Sequence, residues 1–249
     1  DVVVIGAGIM GAAVSRELSR YELKTLLLDK ENDVSCGTTK ANSAIVHAGY
    51  DAKEGSLMAK YNVLGNAMYG KLCEEVDAPF RKVGSYVLAF SEKEKEHLEM
   101  LYQIGLNNGV PEMEIIDAAE IQRREPHVSK EAVAALYAGT AGITGPWELT
   151  IKLVENAMEN GVELKLNAEV ANIKKENDVF KIELKNGEII EAKAIVNAAG
   201  VYADFINNML SNKKFKITPR IGEYYLLDKI QGYLTDSVIF QCPTEMGKG

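Results

Sequence analysis

Cysteine is scarce in this chain of 249 residues: there are three, Cys36, Cys73 and Cys242, with no C-x-x-C spacing among them. That argues against a zinc site and against a disulfide framework, and no metal site is expected. Three separated thiols suit a reduced, cytoplasmic protein. An excess of basic charge is also missing. A net charge of -8 and a pI near 5.1 leave no basic face for DNA or RNA, so nucleic acid is not expected as a partner. Long apolar runs are absent too: the stretch from Ala192 to Ile206 is broken by Lys193, Asn197, Gly200 and Asp204, and no segment spans a bilayer as a helix. There is no internal repeat and no low-complexity segment. The chain opens on Asp1 with an apolar run directly behind it and no charged leader, which suggests numbering that starts a few residues inside the natural chain.

What is present is organised around the first thirty residues. Val2-Val3-Val4-Ile5 is a continuous β-branched run, suited to a parallel strand buried on both faces. Gly6-Ala7-Gly8-Ile9-Met10-Gly11 follows it and leads into a helix-forming segment, Ala12 to Arg20. Strand, glycine turn and helix in that order fit a dinucleotide site. The first glycines allow a tight turn and close approach of backbone to a pyrophosphate, and Gly11 allows helix and strand to pack closely. The amides of Ile9, Met10 and Gly11 at the helix start would face the phosphates. A second strand, Thr25 to Leu28, ends at Asp29 and Lys30, where a carboxylate takes ribose hydroxyls. An ordinary tight strand-to-helix turn is the plain alternative, and this unit alone does not separate FAD from NAD.

The polar, small-residue stretch Ser35 to Ala44, containing Thr38, Thr39, Asn42 and Ser43, runs into Ile45-Val46-His47-Ala48-Gly49-Tyr50. Small side chains and hydroxyls let backbone lie against a bulky planar ligand, although a surface loop has the same composition. Ser56 to Val76 spaces Leu57, Met58, Tyr61, Leu64, Met68, Leu72 and Cys73 as a helix whose apolar stripe is expected in the core. Val83 to Phe90 reads as a strand, and Glu92 to Asn108 as a helix closed by Gly109, with His97 expected on its exposed face. Glu114 to Ile116 is a short strand, and Asp117 with Glu120 makes an N-cap. Ala132 to Tyr137 and Gly142 to Thr144 are strands, Trp147 to Glu159 a helix, and Val162 to Leu166 a strand. Asn186-Gly187 marks the hairpin of Asp178 to Ile190. Ala194-Ile195-Val196 is a buried strand ending in Asn197-Ala198-Ala199-Gly200, a second place where backbone approaches a cofactor, with a helix from Tyr202 to Leu210. Ile217 to Asp228 is strand-like.

Together these segments predict an α/β protein: a discontinuous Rossmann-like nucleotide domain, residues 1–78 and 145–212, and an antiparallel-sheet α+β substrate domain, residues 79–144 and 213–249. The motif set resembles the FAD-dependent oxidoreductases of the D-amino-acid-oxidase fold type. It consists of Gly6-x-Gly8-x-x-Gly11, the block from Cys36-Gly37-Thr38-Thr39 through Asn42-Ser43 to His47-x-Gly49, Asn197-Ala198-Ala199-Gly200, and Pro219-Arg220-x-Gly222-Glu223-Tyr224. Within that fold type it is most similar to FAD-dependent glycerol-3-phosphate dehydrogenases and to L-2-hydroxyglutarate dehydrogenases. The resemblance implies FAD as cofactor, with Asp29 on the adenosine ribose, Val170 near adenine, and Thr38, Thr39, Asn42 and Ser43 along the pyrophosphate and flavin. It implies His47 beside the flavin as the group that takes the substrate's hydroxyl proton, a task that suits an imidazole. From the residues alone His47 reads instead as a buried histidine holding a loop by hydrogen bonds. Arg220 would pair with a phosphate or carboxylate, and Tyr225, with Tyr224, would line the substrate cavity; a solvated arginine and packed aromatics are the plain readings.

The implied reaction is oxidation of glycerol 3-phosphate to dihydroxyacetone phosphate, with L-2-hydroxyglutarate or another 2-hydroxyacid as alternative substrate and a separate electron acceptor: a quinone, oxygen or an iron-sulfur domain. A non-catalytic nucleotide-binding module is the alternative of another class. Where many glycerol-3-phosphate dehydrogenases carry an Arg-Tyr pair soon after the His-x-Gly block, this chain has Tyr50-Asp51. The family also continues past the point where this sequence stops, Met246 to Gly249, so a fragment is expected, in a cytoplasmic or membrane-peripheral enzyme.

Overall fold

The computed structural model describes residues 1–243. The last six residues of the segment expected to run from 213 to 249, including Met246 to Gly249, lie outside the described residues. In chain order the elements are β1 (Val2–Ile5), α1 (Ile9–Leu18), β2 (Thr25–Leu28), β3 (Ile45–Val46), α2 (Leu57–Glu75), β4 (Phe80–Lys82), β5 (Ser85–Ala89), α3 (Glu92–Asn108), β6 (Met113–Asp117) and α4 (Ala118–Arg124). They continue with β7 (Ala134–Ala138), β8 (Gly142–Thr144), α5 (Pro146–Glu159), β9 (Glu163–Lys165), β10 (Val170–Glu176), β11 (Val179–Leu184), β12 (Ile189–Ala192), β13 (Ala194–Asn197), α6 (Ala203–Leu210) and β14 (Val238–Gln241). The chain divides into two units. One comprises Asp1–Ser43, Val76–Ala78 and Gly145–Glu223, and the other Ala44–Glu75, Pro79–Thr144 and the chain from Tyr224 onward.

In the first unit a parallel sheet runs in the order β13-β1-β2-β9. The chain leaves β1 through α1 toward β2 on one side, while β13 lies on the other, so β1 is the point where the winding reverses. Ligands of open α/β sheets bind at the carboxyl ends of the strands at such a point. Val3, Ile5 and Leu28 are buried against the antiparallel sheet β10-β11-β12 and Ile206 of α6, while Val4 and Leu27 on the alternate face are fully buried as well. Burial on both faces is what the unbroken β-branched run requires. Arg16 Nε donates to Asn156 Oδ1 at 2.9 Å, joining α1 to α5.

The second unit is built on a sheet in the order β14-β5-β7-β6, antiparallel except for the β14–β5 pair. The two-residue alternation of β5 sends Val87 and Ala89 toward Leu98 and Leu101 of α3, and Tyr86 and Leu88 toward Ile121 of α4, so the sheet is covered on both faces. The helix ends follow the sequence. Ser91 Oγ accepts from Glu94 N, Gly109 closes α3 at a φ of 79°, and Asp117 Oδ1 accepts from Glu120 N at 2.9 Å. A smaller antiparallel sheet, β3-β8-β4, completes the unit.

Four sequence expectations need correction. The segment 217–228 forms no strand: Ile221 is 91% and Tyr225 98% exposed, because strand propensity without a hydrogen-bonded neighbour makes no sheet, and among the described residues nothing pairs with it. Most of the stripe of α2 stays out of the core. Leu57, Met58, Tyr61, Leu64 and Met68 are exposed; only its C-terminal end turns inward, with Leu72 half-buried and Cys73 buried, and the other buried residue of that helix is Ala59. His97 is half-buried and not simply exposed, its Nε2 enclosed and without a hydrogen-bond partner among the described residues. Residues 44–75 group with the second unit instead of the nucleotide fold, since β3 pairs with β8 and α2 packs on β4 and α3; such long-range pairing leaves no local pattern in the sequence. The stripe is directly testable. Leu98→Ala in the core is expected to destabilise by about 2–5 kcal/mol, and Met68→Ala by no more than about 0.5 kcal/mol, read from urea unfolding midpoints.

Candidate cofactor and proton-transfer site

At the carboxyl edge of the parallel sheet, three stretches of main chain meet. Gly6 turns at a φ of +107°, and a Cβ there would overlap the carbonyl of Ala198. A Cβ on Gly11 would overlap the carbonyl of Gly6 and lie 3.4 Å from Ala198 Cβ. Ala198 N donates to Ile5 O at 2.9 Å, closing the end of β13 onto β1. Gly200, at a φ of 55°, opens the 3-10 turn into α6. On the third side Thr39 Oγ1 accepts from Ile9 N at 3.0 Å and faces the bare Cα of Gly8. Gly8 caps α1 with no side chain, so the first-turn amides of Met10 and Gly11, which have no carbonyl one turn back within the helix, point out of its N-terminus toward the space a phosphate takes.

Asp29 is placed by its hydrogen bonds. Oδ2 accepts from Ala7 N at 2.6 Å and Oδ1 from Glu31 N at 2.9 Å, so the carboxylate ties β2 to the glycine turn. Each oxygen keeps a second lone pair for a ribose hydroxyl. Lys30 Nζ lies 3.2 Å from Glu31 and 4.1 Å from the centre of the Tyr202 ring; the Glu31 hydrogen bond is the main cause that raises its pKa. Asn42 Nδ2 donates to the carbonyls of Thr39 at 2.7 Å and Thr38 at 3.3 Å, fixing the 3-10 turn Thr38–Lys40. Ser43 follows it, exposed. Val170 begins β10 half-buried, paired with Leu184. Sequence reasoning missed Ser35. It holds a left-handed φ of 62°, is 4% exposed, donates its amide to Ala7 O, and its hydroxyl is enclosed without a partner among the described residues.

The cradle fits a dinucleotide. It is glycine where a Cβ would close it, it presents helix amides for phosphates, and it places a carboxylate beside the turn.

In the second unit His47 follows β3, half-buried, its ring stacked on Phe240 with centroids 5.8 Å apart. His47, Tyr50, Asp51, Val87, Leu101 and Phe240 surround a cavity of about 30 Å³, room for a water molecule or two. Burial pushes the Tyr50 phenol up to about 12, and a hydrogen bond with Ser85 opposes the shift in part. The sequence marked Tyr50 only as a departure from an Arg-Tyr pair, and it did not single out Phe240. Phe240 sits in Val238-Ile239-Phe240, a short apolar run that carried a readable strand signal. Arg220, Tyr224 and Tyr225 lie on exposed, irregular chain; Arg220 falls in the first unit, and both tyrosines fall in the second.

A parallel sheet with a glycine cradle at its switch point defines a dinucleotide-binding α/β protein. The chain belongs to the FAD dependent oxidoreductase family, whose model matches residues 1–249, so its cofactor is FAD. It is 52% identical over its whole length to a glycerol 3-phosphate dehydrogenase of Caloramator mitchellensis, of which it covers 52%. It is 29% identical over 257 residues to the human mitochondrial L-2-hydroxyglutarate dehydrogenase, with 98% of this chain and 55% of that protein covered. Among solved structures it resembles the dithionite-reduced, FAD-bound L-alpha-glycerophosphate oxidase of Mycoplasma pneumoniae, with a TM-score of 0.86, 30% identity, and coverage of 100% of this chain and 66% of that one. The chain spans about half the length of the curated dehydrogenase.

Two outcomes follow from this geometry. Gly11→Ala is expected to abolish FAD retention, read as loss of flavin absorbance in the purified protein, because the added methyl meets a main-chain carbonyl. Tyr50 has its folded pKa above the unfolded one, so the stability its neutral phenol contributes is complete below about pH 10 and is lost as pH rises toward 12. The contribution is on the order of 2–3 kcal/mol. Tyr50→Phe should therefore flatten the alkaline fall of the unfolding midpoint between those pH values.

Proposed function

We propose that this chain serves the FAD-dependent oxidation of glycerol 3-phosphate to dihydroxyacetone phosphate. The observation that carries the reading is 52% identity, over all 249 residues, with a glycerol 3-phosphate dehydrogenase. The first unit is the FAD-binding part: Gly6, Gly8, Ile9, Met10, Gly11, Thr38, Thr39, Asn42 and Ser43 hold pyrophosphate and flavin. Asp29 and Lys30 take the ribose, Val170 the adenine, and Ala198, Ala199 and Gly200 close the cradle. FAD supplies an acceptor for the hydride that the hydroxyl-bearing carbon of the substrate gives up.

The chain's own contribution is the proton and the anion. His47 takes the hydroxyl proton. Tyr50 does not compete for that role, since a phenol is protonated at neutral pH and burial raises its pKa further, whereas imidazole is the side chain that exchanges protons there. Arg220 binds the substrate's phosphate with its planar guanidinium, and a forked pair of N–H donors matches phosphate or carboxylate geometry. Tyr225 contributes to the substrate-facing surface of the second unit. The electrons leave to a separate acceptor, a quinone, oxygen or an iron-sulfur domain. Among the described residues no helix is long and apolar enough to cross a membrane.

Anaerobic addition of substrate to the FAD-loaded protein tests the reading: glycerol 3-phosphate is expected to bleach the flavin. Bleaching by L-2-hydroxyglutarate alone would transfer the assignment to the 2-hydroxyacid dehydrogenases, and a protein that never takes up FAD would make it a module without redox chemistry. His47→Gln is expected to lower kcat by about 10²–10⁴-fold, the worth of a general base, with FAD content unchanged.

A further inference from the structure

The loop from His47 to Ala52 is held by two asparagine side chains that no motif announces. Asn66, in the middle of α2, donates from Nδ2 to His47 O at 3.1 Å and to Thr140 O at 2.9 Å. Asn108, the last residue of α3, donates from Nδ2 to Gly49 O at 3.1 Å and to Ala52 O at 2.8 Å. Each amide uses both of its N–H bonds to bridge two carbonyls. Ala48, Gly49, Tyr50 and Ala52 are buried, and a buried carbonyl outside a helix or sheet needs such a donor. The loop is also pressed from both helices. A Cβ on Gly49 would stand 3.0 Å from Val63 Cγ2, and one on Gly105 3.0 Å from Tyr50 Cβ.

We propose that Asn66 is a positioning residue for proton transfer: by gripping the carbonyl of His47 and tying it to Thr140, next to β8, it fixes where the imidazole stands. Asn108 secures the far end of the same loop. The proposal rests on the role given to His47 above. A backbone shift of about an ångström at a reacting group lowers rates by up to about 10²-fold without any lost substrate contact. The signature is therefore a fall in turnover with binding intact.

In the FAD-loaded protein, Asn66→Ala is expected to lower kcat per bound flavin by about 10–100-fold, leave KM and FAD content within about twofold, and move the acidic limb of the kcat–pH profile. A lower unfolding midpoint with kcat per flavin and the pH limb unchanged makes Asn66 merely structural and overturns the proposal. Asn66→Gln keeps both donors on a longer stem and covers the case in which the alanine variant does not fold: reduced kcat per flavin supports the role, and unchanged kcat overturns it. His47→Gln run in parallel separates the two readings. If it leaves kcat intact, the role of His47 falls and this one with it. If it lowers kcat while neither Asn66 variant does, only the role of Asn66 falls.

Discussion

The constraint on which the first unit depends is the near-contact of three main-chain segments at the end of β1. Gly6 and Gly11 lie so close to each other and to Ala198 that neither position has room for a Cβ. The approach sets the angle at which α1 leaves the sheet, and with it the direction of the free amides at the helix start. At the helix start a phosphate would meet main-chain amides. Side chains brace that surface: Asp29 holds Ala7, Thr39 holds Ile9, and Asn42 holds the carbonyls of Thr38 and Thr39. A site of this kind tolerates change in side-chain chemistry and not in side-chain volume, because what it offers is space and amide dipoles.

Much of this was legible in the sequence because its determinants are local. The run Val2 to Ile5, the glycine spacing, Asn186-Gly187, the Ser91 cap and Gly109 each act within a few residues, and the structure puts strand, turn, hairpin and helix ends there. Asp29 was legible as the carboxylate at the end of β2, yet its hydrogen bonds to Ala7 and Glu31 depend on how two strands register. What failed was tertiary. Leu57, Met58, Tyr61, Leu64 and Met68 form a sound helical stripe, but periodicity says only that the residues share a face, never what lies opposite. Here the side of α2 that is buried carries Ala59 and, of the stripe, only Cys73 at its end, with Asn66 reaching the His47 loop.

The same distinction explains 217–228. Its β-branched and aromatic composition satisfies a strand locally, and a strand is made by hydrogen bonds across to another one. With no such partner among the described residues, Ile221, Tyr224, Tyr225 and Leu226 stand in solvent. Apolar groups at that exposure gain nothing from folding, whereas Val238 to Gln241, with an equally modest composition, is ordered because its four residues register on Ser85 to Leu88. The neighbour decided the outcome, and that is why Phe240 reaches His47 while Tyr225 does not share its cavity.

The two units thus solve different problems with different means. A cofactor bound through main-chain amides needs an unobstructed surface, and glycine supplies it. An imidazole proposed to carry a proton needs a fixed ring, and that takes neighbours: Phe240 against one face of His47, and two carboxamides gripping the carbonyls of a loop that no ladder supports. Substitutions should sort accordingly. At the glycine cradle, any added volume is felt first in cofactor uptake. Around His47, removing a carboxamide leaves a buried carbonyl without its donor, and the loop then bears the full desolvation cost of that group.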